Sequence, residues 1–303
     1  MMKHVAVLMG GWSAEREVSM NSGLACSEAL KSCGYKVTPV DVGRNIAETL
    51  SEVKPDVCFN ALHGRYGEDG YIQGLLEIIG IPYTHSGVLA SALAMDKPVA
   101  KTLFAEVGIP IADGKIFTRQ EIQEGASYPK PFVVKPFNEG SSVGVTIIMD
   151  DENMSLQDLP WTFGEKVLIE SFIPGREIQV AVMGNAALGA VEIRPLGRFY
   201  DYEAKYTAGK AEHLMPAPLD PKDYEEALRL ALLAHQTLGC RGVSRSDLRF
   251  DDTGNGSGKF YMLETNTQPG MTSLSLVPEI AAHSGISFED LVSWIVEDAS
   301  CDR

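Results

Sequence analysis

The stretch VAVLMGGWSAEREVS (residues 5–19) decides the class of fold. Five apolar residues in succession read as a buried strand, two glycines interrupt it, and a helical pattern begins near Val18. The same unit then recurs. The helical pattern reaches about Cys33, and a strand is expected over 36–42, a short helix over 46–53, a strand over 56–61 and a helix over 71–79. Strands alternating with helices predict a parallel sheet with right-handed crossovers. Such sheets bind ligands beyond the carboxyl ends of their strands. Here those ends run into GGWSAERE (10–17) and LHGRYGEDG (62–70), two loops with the composition of binding sites.

Beyond residue 85 the pattern changes. A helix is expected from about Ser86 to Val107, ended by Gly108 and Pro110, and TRQE (118–121) is a capping box. Strand-like segments then dominate: FVVKP, VTIIM, KVLIE, REIQVAVM and ALGAVEI. A long polar loop follows over 195–213, then a helix opened by Asp220 and Pro221 and closed by Gly239. Strands over 243–250 and 259–265 come next, and SFED (287–290) caps a final amphipathic helix. The expected division is 1–85 for the parallel sheet, 86–170 for a small antiparallel unit, and 171–303 for a larger third segment.

Composition narrows the function. A chain of 303 residues corresponds to about two domains. With 26 basic against 41 acidic residues, a net charge of −15 and a pI near 4.8, it lacks the positive footprint of a nucleic-acid or anionic-membrane binder. The five cysteines (Cys26, Cys33, Cys58, Cys240 and Cys301) contain no CxxC pair, which suits a reducing compartment. No signal-peptide pattern is read at the N-terminus, because the apolar run soon meets Glu15, Arg16 and Glu17. The longest charge-free run, 78–95, is broken by Pro82, Thr84 and His85, so no membrane span is expected. These readings place the protein in the cytoplasm.

Two familiar signatures nearly match. GNGSGK (254–259) resembles a phosphate-binding loop, but Thr253 stands where glycine is required and Phe260 where Ser or Thr is; a hairpin turn fits better. GSSVG (140–144) fits a nucleophile elbow with Ser142 as the nucleophile, yet an elbow leads into a helix and VTIIMD reads as a strand. Taken as a hairpin, VVKPFNEGSSVGV offers backbone N–H groups that can close over phosphates, with Lys135 as a point charge. An exposed polar turn accounts for that segment alone equally well.

The second half carries more chemistry. In GVSRSDLRF, Arg245 and Asp247 are two residues apart and share a face; in FYMLETN, Glu264 and Asn266 do the same. If the two strands pair, Asp247, Glu264 and Asn266 gather three oxygen ligands beside a guanidinium. Hard oxygen donors without His or Cys specify Mg²⁺, held by one or two carboxylates plus substrate phosphates. TNTQPGMTSLSLVPEIAAH then runs into a helix with Ser275 as N-cap and Leu276 as first helical residue. The N–H groups of a helix N-terminus suit a carboxylate.

In order along the chain, AVLMGGWSAEREVS, ALHGRYGEDG, SALAMDK, VVKPFNEGSSVGV, VLIESFIPGREIQVAV, FYDYEAKY, SRSDLRF and LETNTQPGMTSLSLVP closely resemble the D-alanine–D-alanine ligase family of ATP-grasp enzymes. The resemblance implies an α/β fold of ATP-grasp type: an N-terminal Rossmann-like parallel sheet, a small central antiparallel α+β domain and a larger C-terminal α+β domain. It implies ATP-dependent joining of two D-alanines through a D-alanyl phosphate for peptidoglycan synthesis, with two Mg²⁺ (Mn²⁺ as an alternative ion), ATP as co-substrate, and a homodimer. Lys97 and Lys135 would contact ATP phosphates. Glu170, Phe172 and Ile173 would line the adenine pocket, and Glu177 would bind the ribose. Asp247, Glu264 and Asn266 would hold the metals. Glu15, with His63 nearby, would pair with the first D-alanine ammonium. Arg245 and the Gly270 N–H would meet the oxyanion, and Ser275 and Leu276 the second carboxylate. Ser141 and Tyr206 would bond with Glu15 and close a lid, residues 195–213, that carries Lys205. Leu274 departs from the family, many of whose members carry His there. Phe137 and Asn138 vary the approach to the phosphate loop.

Within the same fold the competing expectation is a D-alanine–D-lactate ligase, against which the Lys205–Tyr206 pair argues. From other classes the competitors are a hydrolase using Ser142 and a non-catalytic nucleotide-binding regulator.

Overall fold

The computed structural model describes residues 2–136, 144–159, 161, 164–196, 209–254, 258–272 and 275–301. The first sheet is parallel: β1 (His4–Met9), β2 (Lys36–Asp41) and β3 (Val57–Asn60), in the order β2-β1-β3. Every residue of β1 is buried, and its side chains alternate between two cores. Val5, Val7 and Met9 join residues of α1 (Arg16–Ser32). Ala6 and Leu8 face Ile46 and Leu50 of α2 (Ile46–Val53) and Ile72 and Leu76 of α3 (Tyr71–Ile79). Coverage on both faces explains the unbroken apolar run.

The expected helix over 86–107 is two helices, α4 (Val88–Met95) and α5 (Lys97–Glu106). Asp96 between them is extended (φ −84°, ψ 92°), its carboxylate accepts from the Val99 N–H at 3.1 Å, and Pro98 occupies the first turn. An N-cap followed by proline starts a new helix rather than continuing the old one. Ala90, Ala94, Ala100 and Phe104 of this pair pack with Leu248, Phe260 and Met262 of the third sheet.

The second sheet is antiparallel, with order β4-β7-β5-β6: β4 (Gly114–Thr118), β5 (Phe132–Lys135), β6 (Thr146–Ile148) and β7 (Lys166–Ser171). Thr118 closes its capping box with Glu121 on α6 (Arg119–Gln123). The third sheet, order β10-β9-β8-β11-β12, comprises β8 (Arg176–Met183), β9 (Ala186–Pro195), β10 (Ala211–Leu214), β11 (Val243–Asp251) and β12 (Lys259–Asn266). The far end of the expected polar loop is thus strand β10, paired with β9. One face of this sheet carries α7 (Pro221–Thr237). The other shares a core with β1, β3, α1, α8 (Leu276–His283) and α9 (Phe288–Glu297), which fastens the third sheet to the first. Among the described residues no helix is long and apolar enough to cross a membrane.

Candidate active site

β11 and β12 pair as the alternation requires. Asp247 lies opposite Glu264, and Arg245 opposite Asn266, with a register shift immediately after Asp247. Opposed residues on an antiparallel pair share a face, so these four side chains form one patch. Within it the Arg245 guanidinium donates to both carboxylate oxygens of Asp247, at 2.7 and 3.0 Å. Lys97, the first residue of α5, places Nζ 3.5 Å from Glu264. The Asn266 amide oxygen accepts from the Gln268 N–H at 2.8 Å.

A hydrogen-bonded seam brings the loops of the first sheet to this patch. Gln268 donates to the Asn60 carbonyl at 2.5 Å, and the Asn60 amide returns a bond to Gln268 at 3.1 Å. Asn60 also donates to the Gly67 carbonyl. Ser13 donates to the His63 carbonyl at 2.7 Å, and Ser22 stands 3.2 Å from His63 Nε2 while accepting from the Met271 N–H. Glu15, the residue before α1, is buried and packs against Gly64, where a Cβ would approach its carboxylate to 3.0 Å. Burial, helped by the Arg245 charge and opposed by a bond to the Gln268 backbone, lowers the His63 pKa to about 4. His63 is therefore neutral at pH 7.

Glu68 belongs to the same set, although the sequence reading did not single it out. Burial pushes its carboxyl well above the ordinary range, the charges of Glu15 and Glu264 add to that, and a backbone bond from Gly64 and the charge of Lys97 oppose it. Its Oε2 is buried without a hydrogen-bond partner. The one sequence signal for it was its place in LHGRYGEDG.

Lys135 and Glu170 meet on neighbouring strands of the second sheet, 2.8 Å apart, and Lys101 of α5 reaches the other oxygen of Glu170. Burial raises the Glu170 carboxyl, but the ammonium groups of Lys135 and Lys101 outweigh it and the net direction is down. Lys101 is a further residue that the sequence reading missed. Arg249 is another: it donates to the carbonyls of Ile173 and Gly175 and lies 3.9 Å from Glu177, holding the 172–177 segment, with its guanidinium over the Phe172 ring.

At the other end of the patch, Ser275 is the N-cap of α8 and its hydroxyl accepts from the Thr272 N–H at 2.9 Å rather than capping the helix. A Cβ on Gly270 would meet that hydroxyl at 2.8 Å, so this position needs glycine for close approach. Leu276 is buried in the core below.

Ser141, Ser142, Lys205, Tyr206, Phe137, Asn138 and Leu274 lie outside the described residues. The segment holding Ser142 is nevertheless followed by strand β6, not by the helix an elbow requires. GNGSGK falls in the β11–β12 connection, in keeping with a hairpin turn.

Among the described residues no three His, Cys, Asp or Glu side chains cluster as a metal site. The patch instead offers two facing carboxylates and an amide oxygen, a donor set that suits Mg²⁺ when substrate phosphates complete the shell.

A parallel sheet followed by two antiparallel sheets, with lysines and paired acidic strands between them, defines an ATP-grasp protein. Family models for the D-ala D-ala ligase C-terminus and N-terminus match residues 103–297 and 43–86. The chain is 58% identical over 306 residues to a D-alanine–D-alanine ligase of Paramagnetospirillum magneticum, with 100% of each covered. The solved D-alanine–D-alanine ligase of Bacillus anthracis complexed with ATP is 30% identical, with a TM-score of 0.81 over 98% of this chain and 97% of that one. The VanG D-Ala:D-Ser ligase of Enterococcus faecalis is 28% identical, with a TM-score of 0.79 over 98% and 99%. The chain belongs to the D-alanine–D-alanine ligase family.

Proposed function

We propose that this chain joins two D-alanines at the expense of ATP. The carboxylate of the first would be phosphorylated, the amine of the second would attack the acyl phosphate, and phosphate would leave. The observation that carries this reading is the meeting of Glu15, His63 and Glu68 with the Arg245–Asp247–Glu264–Asn266 patch. There Glu15 would serve an ammonium, Arg245 an oxyanion and the Asp247, Glu264 and Asn266 oxygens a metal ion, and their proximity supports this reading.

Asp247, Glu264 and Asn266 would hold Mg²⁺, which when bound supplies charge compensation for the phosphate oxygens. Glu15 would bind the first ammonium, and Arg245 with the Gly270 N–H would meet the oxyanion. Ser275 and the first N–H groups of α8 would bind the second carboxylate. Lys97 and Lys135 would reach the ATP phosphates. Glu170, Phe172, Ile173 and Glu177 would face the nucleoside, with Lys101 and Arg249 setting their positions. Ser141 and Tyr206 would complete the lid over 195–213 and Lys205 would ride on it, excluding water from an acyl phosphate that hydrolyses readily. The division at residues 85 and 170, a homodimer and a cytoplasmic location belong to the same reading.

Phosphate release and product mass with ATP, Mg²⁺ and D-alanine, D-serine or D-lactate test it. D-alanyl-D-alanine is expected as the main product, with activity abolished by chelation and by Asp247→Asn. A hydroxyl-acid product, turnover without ATP, or full activity in Asp247→Asn would overturn it.

A further inference from the structure

The loops that carry Ser13 and His63 toward the patch have a second side. Beyond the carboxyl ends of the first sheet, on the side of α2 and α3, they enclose a cavity of about 140 Å³. Its walls come from Leu62, Ile72, Leu75 and the apolar side chains that follow β2, with Ser13 and His63 on the side toward the patch. Among the described residues no Asp or Glu lines it. A zwitterionic amino acid would leave its ammonium unpartnered there, at a cost of several kcal/mol if desolvated, so this is not a second D-alanine site. An apolar cavity of about 150 Å³ is large enough to take up benzene.

The rim is aromatic and cationic. Tyr66 stands between Trp12 and Tyr71, with ring centroids 5.2 and 5.3 Å away. Its backbone is left-handed (φ 71°), a strained state for a tyrosine, and its N–H is bonded to Asp69 at 2.9 Å. The Arg44 guanidinium lies 5.4 Å from the Trp12 ring and that of Arg65 5.0 Å from the Tyr66 ring. Among the described residues neither arginine is in an ion pair, in a protein whose net charge is −15. Guanidiniums stacked on aromatic rings keep their edge N–H groups available for a carboxylate.

We propose that this cavity, which adjoins the substrate site through Ser13 and His63 in their shared wall, is a binding site for a small carboxylate with a flat apolar body. The body rests on Leu62, Ile72 and Leu75, and the carboxylate meets Arg44 and Arg65.

Benzoate is the probe, titrated into the intact protein by calorimetry or ligand-observed NMR, with benzylamine as the same body carrying the opposite charge. The expected result is saturable binding of benzoate at one site, with a dissociation constant of about 1 mM or tighter, and none of benzylamine. The surface double variant Arg44→Gln/Arg65→Gln should weaken benzoate about tenfold, and Leu75→Trp, which fills the cavity, should abolish binding. The proposal is overturned by absence of saturation up to about 10 mM, by equal binding of benzylamine, or by affinity unchanged in the double arginine variant. That last result would place benzoate elsewhere, for example at Arg245.

Discussion

Two charge clusters lie along α5, one turn apart, and they are built on opposite plans. Lys101 turns to the second sheet, where Glu170, 1% exposed, is held between two ammonium groups. Lys97 turns to the third sheet, where Glu264 and Asp247 face each other and Arg245 backs Asp247. The first cluster is an anion already over-compensated by its own protein. The second matches two carboxylates with two cations in an opening shared by Glu15, His63 and Glu68, so incoming phosphates and a divalent cation can exchange partners with it. A chain this acidic can bind a triphosphate only where its cations are concentrated, and α5 supplies one to each sheet. The contrast predicts that loss of Lys101, which meets only protein in the first cluster, is read chiefly in stability, and damage to the second cluster in rate.

Lys101→Met should give the largest effect. It strips one of the two cations that hold buried Glu170 and leaves Lys135 in place, for which a loss of about 2–3 kcal/mol is expected, measurable as a lower denaturant midpoint at unchanged slope. An unchanged midpoint in Lys101→Met would erase the proposed distinction between the clusters.

Next comes acid sensitivity. His63 has a folded pKa of about 4 against about 6.5 when unfolded. Its folded value is depressed, so the unfolded chain binds the extra proton in that window. The associated stability is fully present above about pH 6.5 and is lost as pH falls toward 4, by about 3 kcal/mol in the limit. His235, also lowered to about 4 by burial, contributes in the same direction. His63→Asn should flatten part of the loss between these pH values. A pH–stability curve identical to the parent's would remove His63 from the neutral lining of the site.

Arg245→Lys tests the second cluster through rate. The substitution keeps a cation near Asp247 but loses the two-pronged contact and the fixed donor geometry. Phosphate release in the presence of D-alanine should fall about 10²-fold, with a smaller change in denaturant midpoint than in Lys101→Met. The reverse ranking would mean that the patch is structural rather than poised for substrate.

The sequence made the second cluster readable, and of the first it showed Lys135 and Glu170 but hid Lys101, for a physical reason. Arg245 with Asp247 and Glu264 with Asn266 betray themselves by period-two spacing in strands, where polar residues among apolar neighbours need a cause. Lys101 is one lysine on an amphipathic helix, and its partner Glu170 is remote in the chain. Only the packing of α5 between two sheets gives it meaning. Glu68 was in view as part of a loop with a site's composition, but its raised carboxyl depends on Glu15 and Glu264, which tertiary structure brings near. The break at Asp96 is a different kind of miss. Asp96 and Pro98 are a local start signal, overridden in the reading by the apolar periodicity on both sides.

The smallest effect sharpens what burial contributes. Arg16 and Asp41 form a two-pronged pair at 2.8 and 2.6 Å, as close as the contact of Lys135 with Glu170, but their side chains are 46% and 53% exposed. Water screens such a pair, and ordering two long side chains offsets most of its attraction. Arg16→Gln should therefore shift the melting temperature by no more than about 2 °C, and raising the salt concentration should shrink even that difference. Distance alone would rank this pair beside the buried one. A loss comparable to that of Lys101→Met would show that contact geometry, not removal from water, sets the worth of the charges on this protein.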